Sequence, residues 1–255
     1  MRWPAWIPLL GVTLLAGCGA SAQGSAKTAV TVKAVAASPR TCTDGAFRRL
    51  GSPRIAYAAV VRKRAEVARS PGARAFASFR RLNVNHVPTV FSVRGVRVDA
   101  ACKPSVYLVQ IPKRPNGVTA WVPATQVAVE TVSSRIVVDL SERRVTLFVR
   151  GRKVLNTTAA VGAPATPTPT GRFYVNQRLI PTDRTGPFGP GAVGISAFSE
   201  VLTGWAQGGP IAIHGTNAPW SIGKAASNGC IRIPNRMLRR LFPLALNGTP
   251  VLIRR

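Results

Sequence analysis

Short apolar runs of strand length, bounded by glycine, proline or asparagine, recur from residue 88 to the C-terminus and confine the chain to a mainly β fold. Residues 88–94 and 96–99 alternate apolar and polar side chains. Residues 106–111 and 118–122 flank a segment ending in Asn116-Gly117, a dipeptide that readily takes the positive φ angles of a tight hairpin. These pieces predict a small β-barrel within residues 41–131. Two stretches read as helix: residues 54–69, and residues 235–242 with Asn235 as cap and Pro243 as stop.

A second β-rich module is predicted over residues 133–255. Residues 136–140 and 145–149 read as strands joined by a tight turn, and residues 154–161 continue the sheet. A Pro/Thr-rich stretch ends in a turn at 169–171 and feeds a strand at 172–176. Residues 182–194 are rich in glycine and proline and read as a long loop, which within a compact domain is often functional. A short buried strand at 210–214 ends on His214, and residues 249–254 close the sheet. A chain of 255 residues has room for both modules.

Composition narrows the chemistry. There are 35 Lys and Arg against 8 Asp and Glu, for a net charge of +27. Of the eight acids, only Asp139 and Glu142 are close in sequence, so a carboxylate-pair hydrolase is poorly supplied. The histidines, His86 and His214, are far apart, and neither an HExxH motif nor paired Cys-x-x-Cys is present. No metal or other cofactor is expected. Neither GxxxxGK[ST] nor GxGxxG occurs, which argues against a nucleotide enzyme.

Met1-Arg2 followed by a mostly apolar run through residue 17 fits a secretory signal and is short for a membrane span. The run ends in Leu15-Ala16-Gly17-Cys18, which resembles a bacterial lipobox; the resemblance implies that Cys18 carries the lipid anchor. The alternative is an ordinary signal peptide with an incidental cysteine. Residues 18–40 are small and polar at first and read as a flexible tether. The folded part is then expected in the cell-wall space, at the outer face of the cytoplasmic membrane. Outside the cytoplasm thiol pairs tend to oxidise, so Cys42 and Cys102 are either a disulfide or two buried thiols. Cys230 is left as the odd cysteine, a candidate reactive group.

A thiol attacks well only as thiolate, so Cys230 needs a base nearby. His86 lies in the first module and reads as a turn residue. His214 ends an apolar strand sixteen residues before Cys230 and is the simpler partner. Gly229, without a Cβ, lets a substrate carbonyl approach the backbone, and the N–H groups around Asn228 and Gly229 can face a developing oxyanion. Arg232 is suited to a bidentate grip on a substrate carboxylate, or to a structural ion pair. Ser227 and Thr216 are either substrate contacts or hydroxyls that satisfy their own loops. Trp205, Trp220 and Phe198 either line a groove or pack in the core, and Asp139 reads as structural.

The segments His214-Gly-Thr and Ser227-Asn-Gly-Cys230-Ile-Arg232 resemble the signature of the L,D-transpeptidase (YkuD-type) family. Residues 167–173, 187–190 and 248–253 match its habits as well. The resemblance implies a β-rich catalytic domain that joins peptidoglycan stem peptides by 3→3 cross-links through a cysteine acyl-enzyme. It casts Cys230 as nucleophile, His214 as general base and acid, and the Gly215 carbonyl as the group that orients the imidazole. It further implies that carbapenems acylate Cys230. Most family members have histidine where this chain has Asn228. In the first half, residues 109–123 resemble the end of a bacterial SH3-like domain, which implies an SH3-like barrel at 41–131 linked to wall binding; a plain spacer is the alternative.

The expected partners are peptidoglycan stem peptides, the membrane through the lipid anchor, and anionic wall polymers drawn by the positive charge. Nucleic acid is not expected, because the basic residues are spread without a compact motif. Two other readings stand beside transfer: a wall-anchoring lipoprotein that has lost catalysis, and an L,D-carboxypeptidase that hydrolyses the same bond.

Overall fold

The computed structural model of the protein describes residues 41–255; the signal segment 1–17, the proposed lipid site Cys18 and the tether 18–40 lie outside the described residues. The first module is built from β1 (Phe47–Arg49), β2 (Ala56–Val61), β3 (Arg64–Ala68), β4 (Ala75–Arg80), β5 (Val90–Val98), β6 (Pro104–Gln110), β7 (Thr119–Pro123) and β8 (Val127–Val132). They form one antiparallel sheet in the order β4-β3-β7-β6-β5-β2-β8, with β1 added on β5. β2 and β3 are separated by only Arg62 and Lys63, yet they lie near opposite edges of this sheet. The chain therefore bends there and the sheet curls back on itself around Phe91, Val109, Ile111 and Val122, all fully buried.

The helix expected at 54–69 is not formed; β2 and β3 occupy that stretch. Its alanines favour a helix in isolation. Tyr57, Val60, Val61 and Val67, however, suit a pleated surface, and burial of Ala65 and Val67 between exposed Arg64 and Glu66 follows a period of two. The hairpin expected at Asn116-Gly117 joins β6 to β7, with Gln110 opposite Thr119 and Gly117 at φ +85°. Cys42 and Cys102 form a disulfide, which ties the segment before β1 to the turn between β5 and β6. That cross-link fits an oxidising, extracytoplasmic setting.

The second module contains β9 (Ser134–Asp139), β10 (Arg144–Val149), β11 (Arg152–Thr158), β12 (Val161–Gly162), β13 (Gly171–Leu179), β14 (Ala192–Phe198), β15 (Pro210–His214), β16 (Ala225–Ser227), β17 (Ile231–Arg232), helix α1 (Asn235–Leu241) and β18 (Pro250–Arg254). Its main sheet runs β11-β10-β9-β18-β13-β14-β15-β17, and β12 pairs with β16 beside it. Residues 192–194, expected to end the long loop, instead open β14, whose first six residues are all buried. An unbroken apolar run has no alternation by which to announce a strand. Ile136, Leu147, Ile195, Ile211, Ile213, Leu238 and Leu241 fill the core, each worth about 1.5–3 kcal/mol of burial. Asp139 is structural: it pairs with Arg254 at 3.1 Å and accepts the Ser141 hydroxyl at 2.7 Å.

The two sheets meet along a close seam. Buried Tyr174 of β13 donates its hydroxyl to the Val90 carbonyl at 3.1 Å, and Gln110 donates to the Arg172 carbonyl at 3.0 Å. Gly248 is required at this contact, since a Cβ there would lie 2.4 Å from that of Ala58. The β6–β7 hairpin reaches furthest. Asn116 accepts the Phe198 N–H and donates to the Phe198 carbonyl, both at 2.9 Å, while Arg114 donates to the Gly208 carbonyl at 2.7 Å. The first module thus grips both ends of the loop that joins β14 to β15.

Candidate active site

His214 is the last residue of β15, and Cys230 is the residue before β17. The two strands are parallel, with Ile213 opposite Ile231 and His214 opposite Arg232. This register brings His214 together with Cys230 and Arg232, sixteen and eighteen positions further along the sequence, at one cavity of about 200 Å³. Ser227, Asn228, Phe188 and Trp205 also line it. Arg232 carries the only permanent charge in the lining.

The imidazole is buried, 4% exposed, and its Nδ1 lies 2.5 Å from the Gly215 carbonyl oxygen. A carbonyl only accepts, so Nδ1 carries the proton and Nε2 keeps its lone pair. Burial lowers the His214 pKa to about 4; the Gly215 hydrogen bond opposes this, and the Arg232 charge adds to it. Phe188 meets the ring edge-on, with centroids 4.9 Å apart.

The Cys230 sulfur faces the Pro210 carbonyl at 4.0 Å, and no hydrogen bond joins it to His214 among the described residues. Burial raises the thiol pKa, opposed by the Ala212 N–H and then by Arg232. Burial therefore favours the neutral thiol and the neutral imidazole over a thiolate–imidazolium pair. Alkylation of Cys230 by iodoacetamide, followed by peptide mapping, should still be rising with pH at 9. A plateau near neutrality would mean a preformed thiolate.

The loop before the sulfur is fixed from within. Gly229 has φ +100°, and a Cβ would stand 3.0 Å from Ile211. The Ser227 hydroxyl donates to the Cys230 carbonyl at 2.5 Å and accepts the Gly229 N–H at 3.2 Å. That hydroxyl is committed to its own loop, and the Gly229 N–H, expected to face an oxyanion, is engaged by it. Asn228 is exposed at the cavity. Thr168 donates to the Gly229 carbonyl at 2.8 Å, and Thr166 to the Ser227 carbonyl at 3.0 Å. The Pro/Thr-rich stretch is thus the outer brace of the cysteine loop.

The turn after His214 has a brace of its own. Asn235, expected as a helix cap, is instead the first residue of α1, where Pro234 occupies the cap. Its carboxamide accepts the Thr216 N–H at 2.7 Å and donates to the Thr216 carbonyl at 3.0 Å. The packing is close enough that a Cβ on Gly215 would lie 2.3 Å from the Asn235 oxygen. Thr216 itself is buried, and its hydroxyl accepts the Ala218 N–H at 2.9 Å, turned into the loop. The sequence marks Thr168 only as part of the 167–173 segment, and does not reveal the bracing roles of Thr166, Thr168 and Asn235. Of the candidate groove aromatics, Trp205 lines the cavity, Phe198 lines a neighbouring cleft, and Trp220 is exposed beside Lys224.

A family model described as the L,D-transpeptidase catalytic domain, YkuD, matches residues 133–253. The YkuD protein of Bacillus licheniformis is 40% identical over 124 residues, which cover 49% of this chain and 67% of that protein. The Bacillus subtilis YkuD protein is 38% identical over 125 residues, covering 49% and 68%. Among solved structures, an Enterococcus faecium L,D-transpeptidase is similar at 27% identity and a TM-score of 0.37, over 48% of this chain and 49% of that one. The chain belongs to the L,D-transpeptidase family and carries its YkuD-type catalytic domain in the C-terminal half.

Proposed function

We propose that the chain is a cysteine acyltransferase that forms 3→3 cross-links between peptidoglycan stem peptides. The observation that carries this reading is a thiol and a buried imidazole with a free Nε2 lining one small cavity. Cys230 attacks the carbonyl that joins the third residue of a tetrapeptide stem, a diamino acid, to the terminal D-alanine. His214 Nε2 takes the thiol proton as the C–S bond forms. The imidazolium then returns that proton to the departing amine, and D-alanine leaves as the thioester is completed. The side-chain amine of a second stem's third residue attacks the thioester, yielding the cross-link and restoring the thiol. Because burial favours the neutral thiol and imidazole, proton transfer accompanies attack rather than preceding it.

In this scheme Arg232, which carries the one permanent charge in the cavity lining, holds the terminal carboxylate of the D-alanine. The Asn228 and Cys230 N–H groups are the oxyanion donors in this scheme, with Gly229 shaping the turn. The Gly215 carbonyl orients His214, and Asn235 fixes that carbonyl's turn through Thr216. Asn235→Ala removes two hydrogen bonds at a cost of about 1–3 kcal/mol, so acylation should fall roughly tenfold or more. The expected loss is in kcat, measured by single-turnover kinetics, with Asn235→Asp recovering only the Thr216 N–H contact. Residues 1–17, Cys18 and 18–40 serve in this reading as signal, lipid site and tether, holding the catalytic part at the outer face of the membrane.

Incubation with purified tetrapeptide muropeptides, followed by mass analysis of the products, tests the proposal. Transfer gives 3→3 dimers with one free D-alanine for each bond formed. Tripeptides without dimers would identify an L,D-carboxypeptidase, and no consumption of substrate would leave a wall-anchoring protein.

A further inference from the structure

A second and larger cleft, about 680 Å³, opens between the two modules and shares Pro210 with the active-site cavity. Its lining is unlike that of the first. Most of its polar side chains are carboxamides: Asn83 and Asn85 from the first module, and Gln177, Gln207 and Asn176 from the second. They are held in place by one another. Asn83 and Asn85 both donate to the Gln177 oxygen, at 2.9 and 3.0 Å, and Gln207 donates to the Asn85 oxygen at 3.0 Å. A carboxamide nitrogen has two protons, so Asn83 and Gln207 each retain one N–H for a ligand. The Asn176 oxygen is buried without a partner. Apolar surface stands beside these groups, in Phe198 and in Val84, which is 75% exposed.

This chemistry selects a class of ligand. No carboxylate lines the cleft, so a cationic amine finds no counter-charge there. Arg80 and His86 are its only ionisable side chains, which is little to attract a polyanion. Fixed amide donors and acceptors next to apolar surface instead match a neutral polymer that bears hydroxyl and acetamido groups. Position adds to the case. Phe198 and Gln207 belong to the ends of the segment that joins β14 to β15, whose middle, at Leu202 and Trp205, lines the cysteine cavity. A ligand in the cleft therefore lies immediately beside a peptide bound at Cys230.

We propose that this inter-module cleft binds the N-acetylated glycan strand to which the donor stem peptide is attached. The inference rests on the peptidoglycan reading of the cysteine site, and it makes the first module a part of the substrate site through the Asn83–Asn85 loop. Glycan-bearing and glycan-free substrates then depend differently on that loop.

The test compares disaccharide-tetrapeptide with free tetrapeptide as donor, using the full chain and its Asn85→Ala/Gln207→Ala and Val84→Arg variants. The Val84 change adds bulk and charge at an exposed rim position and leaves the amide network intact. For both variants kcat/KM should fall about tenfold on the disaccharide-tetrapeptide and stay unchanged on the free peptide. Equal losses on both donors, or no loss on either, would overturn the proposal. Calorimetry of Cys230→Ala with a tetramer of β-1,4-linked N-acetylglucosamine decides the matter even if the chain consumes no peptide. Binding that Val84→Arg weakens supports the glycan site whatever the chemistry at Cys230, and absence of binding rejects it.

Discussion

Cys230→Ala should release no D-alanine from tetrapeptide muropeptides and form no dimers. Removing the attacking atom leaves only whatever positioning the cavity supplies, and losses of such nucleophiles run to about 10⁶-fold. The fold should tolerate the change. The sulfur's polar contacts are the Pro210 carbonyl at 4.0 Å and the Ala212 N–H, while the loop is held by Ser227 and Thr168 through backbone atoms that alanine retains. Unchanged thermal unfolding alongside lost turnover is the expected pair of results. Residual turnover near the wild-type rate would move the chemistry away from this residue.

His214→Ala should lower the rate of acylation by roughly 10²–10⁴-fold, the range of a positioned general base. The loss should be largest near neutral pH, where the raised thiol pKa leaves little thiolate, and should shrink as alkali ionises Cys230 directly. In the wild type the acid limb of acylation should fall near pH 4, because the imidazole must be neutral to take the proton. The same shift acts on stability. The unfolded chain protonates this histidine near pH 6.5 and the folded chain near 4. Stability is therefore fully present above 6.5 and is lost as pH falls between those values, by about 3 kcal/mol at about 1.4 kcal/mol per pH unit. Urea unfolding at pH 7 and pH 4.5 checks the sign, and His214→Gln should flatten the dependence.

Legibility in the sequence followed the range of the interactions. Strands with one wet face were readable, as in the hairpin at Asn116-Gly117, because side-chain period and turn chemistry are local signals. The β14 strand was not, since it is buried along almost its whole length and alternation disappears. The stretch 54–69 misled through its alanines: small residues there allow β2 to sit against the second module, as the Ala58–Gly248 approach demonstrates. In the site, His214 and Cys230 stood out by residue type, being the second of two histidines and the odd cysteine. Their supports did not. Asn235 reaches Thr216 across 19 positions, and Thr168 reaches Gly229 across 61, and nothing local marks either contact. Ser227 and Thr216 were ambiguous for the converse reason: a hydroxyl beside a reactive group serves a substrate or its own loop, and in this chain both are engaged by backbone.

The first module also acquires a place that its sequence did not announce. Its hairpin clasps Phe198 and Gly208, so the segment over the cysteine cavity is anchored by residues from the other half of the chain. Loosening that clasp, rather than altering the cavity itself, is a route by which changes far from Cys230 would reach the reaction.

Formation of a covalent acyl–sulfur bond at position 230 is best tested by intact-mass spectrometry after exposure of the full chain to meropenem, with the modified peptide mapped. One drug equivalent per chain, located on Cys230 and absent from Cys230→Ala, is the predicted result. An unmodified wild type, or an adduct that survives Cys230→Ala, would contradict the account.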